Sequence, residues 1–287
     1  MSYISTNNKR IAKNTLYLYL RMGLVLVVSL FTTRVVLQAL GVEDYGINNV
    51  VSGFVTMFAF LNTSMSNGVQ RFYNFSLGKK NEYSITDVYN TALQIQGILS
   101  VILLLLLETF GLWYIHAQMV IPDERFFAAL WVFHFSVFSL VLLVLQIPYS
   151  AAIMAYERMD YYAYLSIFDV LAKLGIAYAV KYATTDKLIL YGALNLLVSF
   201  ICFFLYYGYA KRQFHELKTD FKIRRRLFES MLSFSGWNVF GSFAYMVKGQ
   251  GLNMLLNVFF GPIVNAARGI SAMVMSALQG FHANIVI

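Results

Sequence analysis

The sequence predicts an all-α protein that spans a membrane, in the form of a polytopic transmembrane helix bundle with eight spans. Hydrophobic residues make up 59% of the 287-residue chain and charged residues only 13%. Soluble domains carry about 25% charged residues, so this chain has too few to cover a surface exposed to water. Residues 98–115 form a long apolar run without polar–apolar alternation, which favours helices over a transmembrane β-barrel.

Eight apolar stretches are each long enough to cross a bilayer, which takes about 20 residues in a helix. The predicted spans are Asn14–Leu37, Asp44–Gln70, Asp87–Trp113, Phe126–Gln146, Tyr161–Tyr182, Lys187–Ala210, Trp237–Phe260 and Pro262–Ile287. The first is too long for the core of a signal peptide, so we expect it to be retained. Cys202 is the single cysteine, so neither a disulfide framework nor a cysteine metal site is expected. No cofactor is predicted.

The distribution of basic residues predicts which way the chain crosses the membrane. Three Lys or Arg residues precede the first span, three follow the second, one follows the fourth and seven follow the sixth, which makes fourteen on one side. The other side holds only Arg125, Lys181 and Lys187. The positive-inside rule therefore places the N-terminus in the cytoplasm. The basic residues flank spans, so they indicate contact with membrane lipids, and no nucleic-acid partner is predicted.

The predicted organisation has three parts. Residues 1–210 form an N-terminal lobe of six transmembrane helices, residues 211–230 a basic cytoplasmic linker, and residues 231–287 the start of a C-terminal lobe. In the linker, apolar residues recur at near-helical spacing opposite the basic ones, from Phe214 to Phe228. This pattern is typical of an amphipathic helix on the inner leaflet. A solvated basic loop is the alternative.

One face of the predicted second span is polar along its length. Nine residues fall within about 140° of arc at 100° per residue; they are Asn48, Ser52, Thr56, Ala59, Asn62, Thr63, Ser66, Asn67 and Gln70. The predicted seventh span carries a second row that includes Asn238 and Asn253, and the eighth a weaker one around Arg268. Such rows also occur as packing contacts between helices. Two long rows with cations beside them favour a solvated cavity.

Several charged residues lie within or near the ends of predicted spans, where charge is costly. The cations are Arg21, Arg34, Lys173, Lys248 and Arg268, and the acids are Glu108 and Asp169. Asp169 and Lys173 are four residues apart on one helix and are expected to pair. Lys248 is predicted near mid-membrane without a local acid, so an anionic ligand would supply its partner. Arg34 either extends to the interface or contacts the ligand.

The first two spans are predicted to join through a very short outer turn. Gly41 and Gly46 permit such a turn, and Asp44 is placed to cap the second helix. The segment 41–46 matches the first half of a phosphate-binding loop, but Ile47 and Asn48 stand where Lys and Ser/Thr are needed. ATP hydrolysis by this chain is therefore not expected.

An internal repeat relates two of these turns. Residues 37–58 can be laid over the segment 256–278, from residue 257 onward, with Gly41 on Gly261. Six spans separate the copies, an even number, so we expect a parallel six-helix repeat, of which residues 231–287 would hold only the start of the second lobe. Parallel repeats are one architecture of membrane transporters.

Four segments together resemble a known family. They are RVVLQALGVEDYGINNVVSGFVTMFAFLN (34–62), QRFYNFSLGKKN (70–81), IPYSAAIMAYERMDYYAYLSIFDVLAKLG (147–175) and SFSGWNVFGSFAYMVKGQGLNMLLNVFFG (233–261). In order and spacing they resemble the Wzx-type flippases of bacterial polysaccharide biosynthesis. These belong to the multidrug/oligosaccharidyl-lipid/polysaccharide exporter superfamily.

The resemblance implies a transporter in the bacterial inner membrane that moves undecaprenyl-diphosphate-linked oligosaccharide, for O-antigen or other surface polysaccharide, by alternating access. It implies a diphosphate site formed by Arg21, Lys248 and Arg268, with Arg34 as a further candidate. It also implies a sugar path lined by Asn48, Ser52, Asn62, Ser66, Asn238 and Asn253. A polysaccharide polymerase and a chain-length regulator would be partners.

Two other functions are compatible with the sequence. An ion-coupled multidrug-type exporter would use Asp169, with its neighbour Lys173, or Glu108 as the coupling group, although the excess of cations at membrane depth disfavours cationic drugs. A membrane glycosyltransferase or polymerase usually needs a large outer loop with catalytic side chains, and the predicted outer connections are short. We therefore do not expect this chain to be an enzyme.

Overall fold

The computed structural model describes residues 2–78, 83–119, 121–220, 222 and 224–245, with side chains from residue 15 onward. Within these residues the chain is helical and contains no strand. The helices are α1 (Ser2–Thr56), α2 (Phe60–Leu77), α3 (Ile85–Leu106), α4 (Leu112–Gln118), α5 (Asp123–Leu145), α6 (Ile147–Ala155), α7 (Met159–Lys181), α8 (Lys187–Gln213) and α9 (residues 225–245). The predicted all-α class is thereby confirmed for the described part.

Short irregular turns join these helices into longer rods. A 3₁₀ turn (Met57–Ala59) connects α1 to α2, and a π-helical turn (Leu107–Gly111) connects α3 to α4. Pro148 lies in the first turn of α6, where its missing N–H costs no helical hydrogen bond. Five stretches in the described residues are long and apolar enough to cross a membrane: Thr15–Leu77, Ile85–Gln118, Asp123–Ala155, Met159–Lys181 and Lys187–Gln213. The number of crossings and their orientation remain predictions.

Gly41 divides α1 into two segments that run in opposite directions. Its φ of 81° and ψ of 172° lie in a region that is essentially restricted to glycine. Before the break, Tyr17 packs on Tyr164 and Val36 clusters with Ala177, so this segment runs parallel to α7. After the break, α1 packs along α5 and runs parallel to it, with Asp44 beside Arg125 and Ser52 beside Ser136. Helix α5 runs opposite to α7. Gly41 thus forms the expected short turn, whereas Gly46 lies within the second helical segment.

Arg125 joins three connections at one end of the bundle, which we call the Arg125 end. Its guanidinium donates to both carboxylate oxygens of Asp44, at 2.7 and 2.5 Å, and to Asp186 at 2.7 Å. Asp44 is therefore an ion-pair partner of α5. Asp186 also accepts hydrogen bonds from the Leu188 and Ile189 N–H groups and so caps α8. Burial alone would raise the pKa of Asp186, but these hydrogen bonds outweigh it and lower the pKa.

The opposite end, which we call the linker end, holds the chain between α8 and α9 against the start of α3. Asn90 on α3 donates to the Lys218 carbonyl at 2.8 Å and accepts from the Asp220 N–H at 2.7 Å. Asp87 completes a capping box with Ser84 and accepts from Arg224 at 2.5 Å.

The linker differs from both alternatives that the sequence allowed. Helix α8 ends at Gln213 and α9 begins at residue 225, and residues 214–220 are not helical. The apolar side chains of Phe214 and Leu217 are 6% and 2% exposed and belong to the main hydrophobic core. They therefore pack on the bundle, and the apolar spacing reflects burial in protein. Residues 214–220 therefore form neither an amphipathic helix nor a freely solvated loop.

Helices α2 and α9 approach each other closely along one seam. A Cβ atom built on Gly68 would lie 2.3 Å from Ser235 Oγ and 3.3 Å from Ser235 Cβ. One helical turn earlier on α2, Ser64 donates to Ser242 at 2.7 Å. Small side chains of this kind allow helix backbones to pack tightly in membranes. We call these four residues the α2–α9 seam.

Two glycines of the α3–α4 rod predict substitution effects of opposite sign. A Cβ atom on Gly111 would lie 2.7 Å from a Phe133 ring carbon and 3.3 Å from Phe54, whereas one on Gly97 would meet nothing within 4 Å. We expect Gly111→Ala to lower the free energy of unfolding by about 1–2 kcal/mol through overpacking. Gly97→Ala should leave it unchanged or raise it by up to about 1 kcal/mol, because alanine favours helix. Thermal unfolding in one detergent compares them, and equal effects would contradict the packing at Gly111.

Candidate functional site

A polar cavity of about 800 Å³ lies inside the bundle formed by the first eight helices. Both segments of α1 line it, together with α2, α5, α6, α7 and α8. Along α7 the wall extends from Met159 to Lys173, which corresponds to about 21 Å at the helical rise. The cavity is therefore long enough to hold an extended ligand inside the apolar rods.

The polar face of the second predicted span forms one wall of this cavity. All nine residues of that face line it, including Asn48, Ser52, Asn62 and Ser66. Ser52 lies 3.0 Å from Ser136 across the gap to α5 and also donates to Asn48 at 3.2 Å. The other face of this span is apolar, and its Val51 is buried in a hydrophobic cluster.

Arg21 is a cation in the cavity wall whose hydrogen-bonding capacity is not used up. Its guanidinium carbon lies 4.6 Å from the centre of the Tyr162 ring, a cation–π distance. Its Nε is buried and has no hydrogen-bond partner within the described residues. A buried donor without a partner is costly, so this atom would gain from an acceptor supplied by a ligand or by water.

Asp169 and Lys173 form an ion pair in the same wall. Lys173 Nζ donates to Asp169 Oδ2 at 2.8 Å, which is the pairing expected from their spacing on α7. The side chains are 33% and 45% exposed, and both line the cavity. Cys202 Sγ lies 3.9 Å from the other carboxylate oxygen of Asp169. Lys173 is thus a cation whose charge is balanced locally.

Sequence reasoning missed three further polar rows. The cavity is also lined by α5 with Ser136 and Ser139, by α7 with Tyr162 and Ser166, and by α8 with Tyr191, Asn195, Ser199, Cys202 and Tyr206. On α8 these residues recur every three or four positions, which is the signature of one helix face. The signal could have been found by searching for that spacing with tyrosine and cysteine counted as polar. Aliphatic and aromatic residues between them hid it.

Other predicted site residues lie away from this cavity. Arg34 is exposed, does not line it, and forms no ion pair within the described chain. Glu108 lies in the π-helical turn and pairs with His134 of α5 at 3.0 Å. Asn238 is on α9, where its amide donates to the Phe234 carbonyl one turn earlier. Lys248, Asn253 and Arg268, and the second copy of the repeat, lie outside the described residues.

The cavity wall indicates which ligands it could accept. Its charged residues are Arg21, Lys173 and Asp169, two cations and one acid, for a net charge of +1. The remaining polar groups are mainly hydroxyls and amides, which donate and accept hydrogen bonds in the way that sugar hydroxyls require. In the described residues no group of three or more His, Cys, Asp or Glu could hold a metal ion. The wall suits a ligand with many hydroxyls and an anionic group.

The fold is similar to that of two solved transporters. One is an outward-facing multidrug resistance MATE family transporter of the MOP superfamily, with a TM-score of 0.78 and 14% identity. The other is a MOP superfamily transporter from Pyrococcus furiosus, described with a binding pocket of reverse polarity that suggests a different function, with a TM-score of 0.74 and 13% identity. Each match covers 96% of this chain and 62% of the other. This chain thus spans less than two thirds of their length. No protein-family model and no curated protein matches the sequence.

Proposed function

We propose that this chain belongs to a membrane transporter that carries a lipid-linked oligosaccharide with a diphosphate group across the bacterial inner membrane, for surface polysaccharide synthesis. The observation that carries the proposal is the cavity: a long space at membrane depth, rich in hydroxyl and amide groups, with a buried Arg21 donor that lacks a partner. Sugar hydroxyls match the first feature and a phosphate oxygen matches the second.

The similarity in fold supports transport as the general function, and the choice of substrate rests on the cavity. Both similar structures are transporters of the MOP superfamily. The balance of basic residues favours a cytoplasmic N-terminus, which would place the linker end in the cytoplasm and the Arg125 end outside. Arg21 then lies on the cytoplasmic side of the cavity, where a lipid-linked substrate made in the cytoplasm would first be bound. A polymerase and a chain-length regulator would act on the product.

Substitution of Arg21 tests the proposal. In a strain that lacks its own flippase and expresses the full-length protein, Arg21→Ala should reduce surface polysaccharide at least about tenfold, because one charge-assisted contact to phosphate is lost. Arg21→Lys should retain part of the activity, since lysine keeps the charge but not the planar donor geometry. The readout is surface polysaccharide normalised to the amount of protein in the membrane.

Arg34→Ala is the matched control on the same helix. Arg34 is exposed and does not line the cavity, so its removal should leave the polysaccharide unchanged. Normal polysaccharide with Arg21→Ala would contradict the assignment of Arg21. If only Arg34→Ala reduced the surface polysaccharide, the phosphate would have to bind outside this cavity.

An ion-coupled exporter of small molecules is the second candidate. It is favoured by the Asp169 carboxylate in the cavity and by the similarity to a multidrug resistance transporter. A carboxylate in a transport cavity can bind protons or cationic substrates. This function predicts that deletion of the gene sensitises cells to drugs and leaves surface polysaccharide intact, which is the reverse of the first proposal.

A further inference from the structure

The Asp169–Lys173 ion pair lies nearer to the Arg125 end of the cavity than Arg21 does. Arg21 packs on the ring of Tyr162, and Asp169 follows Tyr162 by seven residues on α7. The helical rise separates these two levels by about 10 Å. A ligand that binds Arg21 through its anionic group and extends along the cavity therefore brings a different part of itself to the ion pair.

The two partners of the ion pair keep unused hydrogen-bonding capacity. Lys173 Nζ has three N–H donors and, within the described residues, a single acceptor, Asp169 Oδ2 at 2.8 Å. The other carboxylate oxygen, Oδ1, has the Cys202 thiol beside it at 3.9 Å, and a thiol is a weak donor. Both charged side chains are partly exposed and line the cavity. The pair thus offers the ligand a strong donor next to a strong acceptor.

Several neutral side chains of the cavity wall offer mainly acceptors. One N–H or O–H group of each donates to the carbonyl one turn earlier on its own helix, which leaves the side-chain oxygen for a ligand. These side chains are Ser136, Ser166, Asn195 and Ser199. Lys173 adds the donors that this set lacks. Donors and acceptors together match hydroxyl groups, each of which donates and accepts.

We infer that the Asp169–Lys173 pair is a sugar-binding position, which takes hydroxyl groups of the oligosaccharide while the phosphate is held at Arg21. The inference rests on the proposed function, since it assumes a substrate with both parts. The pair stays ionised when the sugar binds: Lys173 donates to one hydroxyl oxygen, and a neighbouring hydroxyl donates to Asp169. Because the pair is neutral as a whole, it selects for the sugar and adds little to the binding of the phosphate.

Binding of two lipids to the purified full-length protein in nanodiscs tests the inference. One is a polyprenyl diphosphate without sugar, and the other is the diphosphate-linked oligosaccharide extracted from the organism that makes this protein. Native mass spectrometry gives both dissociation constants, and their ratio is the readout, because an effect on phosphate binding is common to both lipids and cancels. Wild type should bind the lipid with sugar at least about tenfold more tightly.

Asp169→Asn and Lys173→Gln should each lower this ratio about tenfold, because a hydrogen bond between a charged group and a hydroxyl is lost. Both substitutions nearly preserve the size of the side chain. Binding of the sugar-free lipid by the variants shows that they are folded. Arg21→Ala should weaken the binding of both lipids to the same extent and leave the ratio unchanged, because the diphosphate is common to them.

Asp160→Asn is the matched control. Asp160 is on the same helix and contacts Arg158 at 3.3 Å, but it does not line the cavity. Its ratio should equal that of wild type. A wild-type ratio near one, or a ratio that Asp169→Asn and Lys173→Gln both leave unchanged, would overturn this inference alone. Failure of wild type to bind either lipid would overturn the proposed function as well.

Discussion

Gly68→Leu is expected to lower the free energy of unfolding by about 3 kcal/mol or more. The Cβ of any side chain at this position would lie 2.3 Å from Ser235 Oγ, and 3.6 Å from Ser235 Cα. The hydroxyl can rotate away, but the backbone of α9 cannot do so without leaving α2. The helices must separate, which also breaks the 2.7 Å hydrogen bond between Ser64 and Ser242.

The measurement is the midpoint of thermal unfolding in detergent, together with the yield of monodisperse protein. Gly97→Leu is the control, because a Cβ at Gly97 meets nothing within 4 Å and the added side chain is the same. Gly68→Ala should have an intermediate effect. If Gly68→Leu unfolds at the same temperature as Gly97→Leu, the close approach of α2 and α9 is not as described.

Arg125→Ala is expected to destabilise the protein by about 2 kcal/mol. The substitution removes hydrogen bonds to two carboxylates, Asp44 and Asp186, and leaves these like charges close together. Breaking a fully buried pair costs about 3–5 kcal/mol, but these three side chains are 26%, 16% and 34% exposed, so water offsets part of the loss. Arg125→Lys should recover less than half, because an ammonium cannot make the two parallel bonds to Asp44.

Arg225→Ala provides the comparison for Arg125. Arg225 also forms an ion pair, with Glu229 at 2.8 Å, but the two side chains are 90% and 62% exposed. Its removal should leave the free energy of unfolding unchanged within the precision of the measurement, because solvent screens an exposed pair. Chemical unfolding of both variants under the same conditions gives the two values. Similar values would mean that the Arg125 contacts are as weak as an ordinary surface pair.

Much of the N-terminal fold follows from simple patterns in the sequence. The apolar runs predicted the helical rods because a helix satisfies its own backbone hydrogen bonds in an apolar environment. Gly41 marked the turn between the first two predicted spans, and its φ of 81° shows why the chain needs glycine there. The polar row from Asn48 to Gln70 predicted a cavity wall, and the wall is formed by that row. The Asp169–Lys173 contact followed from helical spacing alone.

Other features depend on contacts between distant segments and could not be predicted in this way. Phe214 and Leu217 have the spacing of a membrane-surface helix, yet they belong to the hydrophobic core that also contains residues of α3 and α6. Arg21 lines the cavity and Arg34 does not, although both are cations on the first segment of α1. Which of them faces the cavity depends on how this segment packs against α7. The polar residues of α8 are spread among apolar ones, so they form a row only once the helix is placed. Asp44 was expected to cap a helix, but Arg125 is 81 residues away in sequence and competes for it.

The attachment of the linker to α3 has a mechanical consequence. A free tether of about 11 residues could extend over 30 Å and would leave α9 almost independent of the helices before it. Here Asn90 holds the backbone at Lys218 and Asp220, and Asp87 holds Arg224 directly before α9. The start of α9 is thereby a pivot with a fixed position. Any change in the tilt of α9 becomes a rotation about that point and exerts a torque on the first turn of α3.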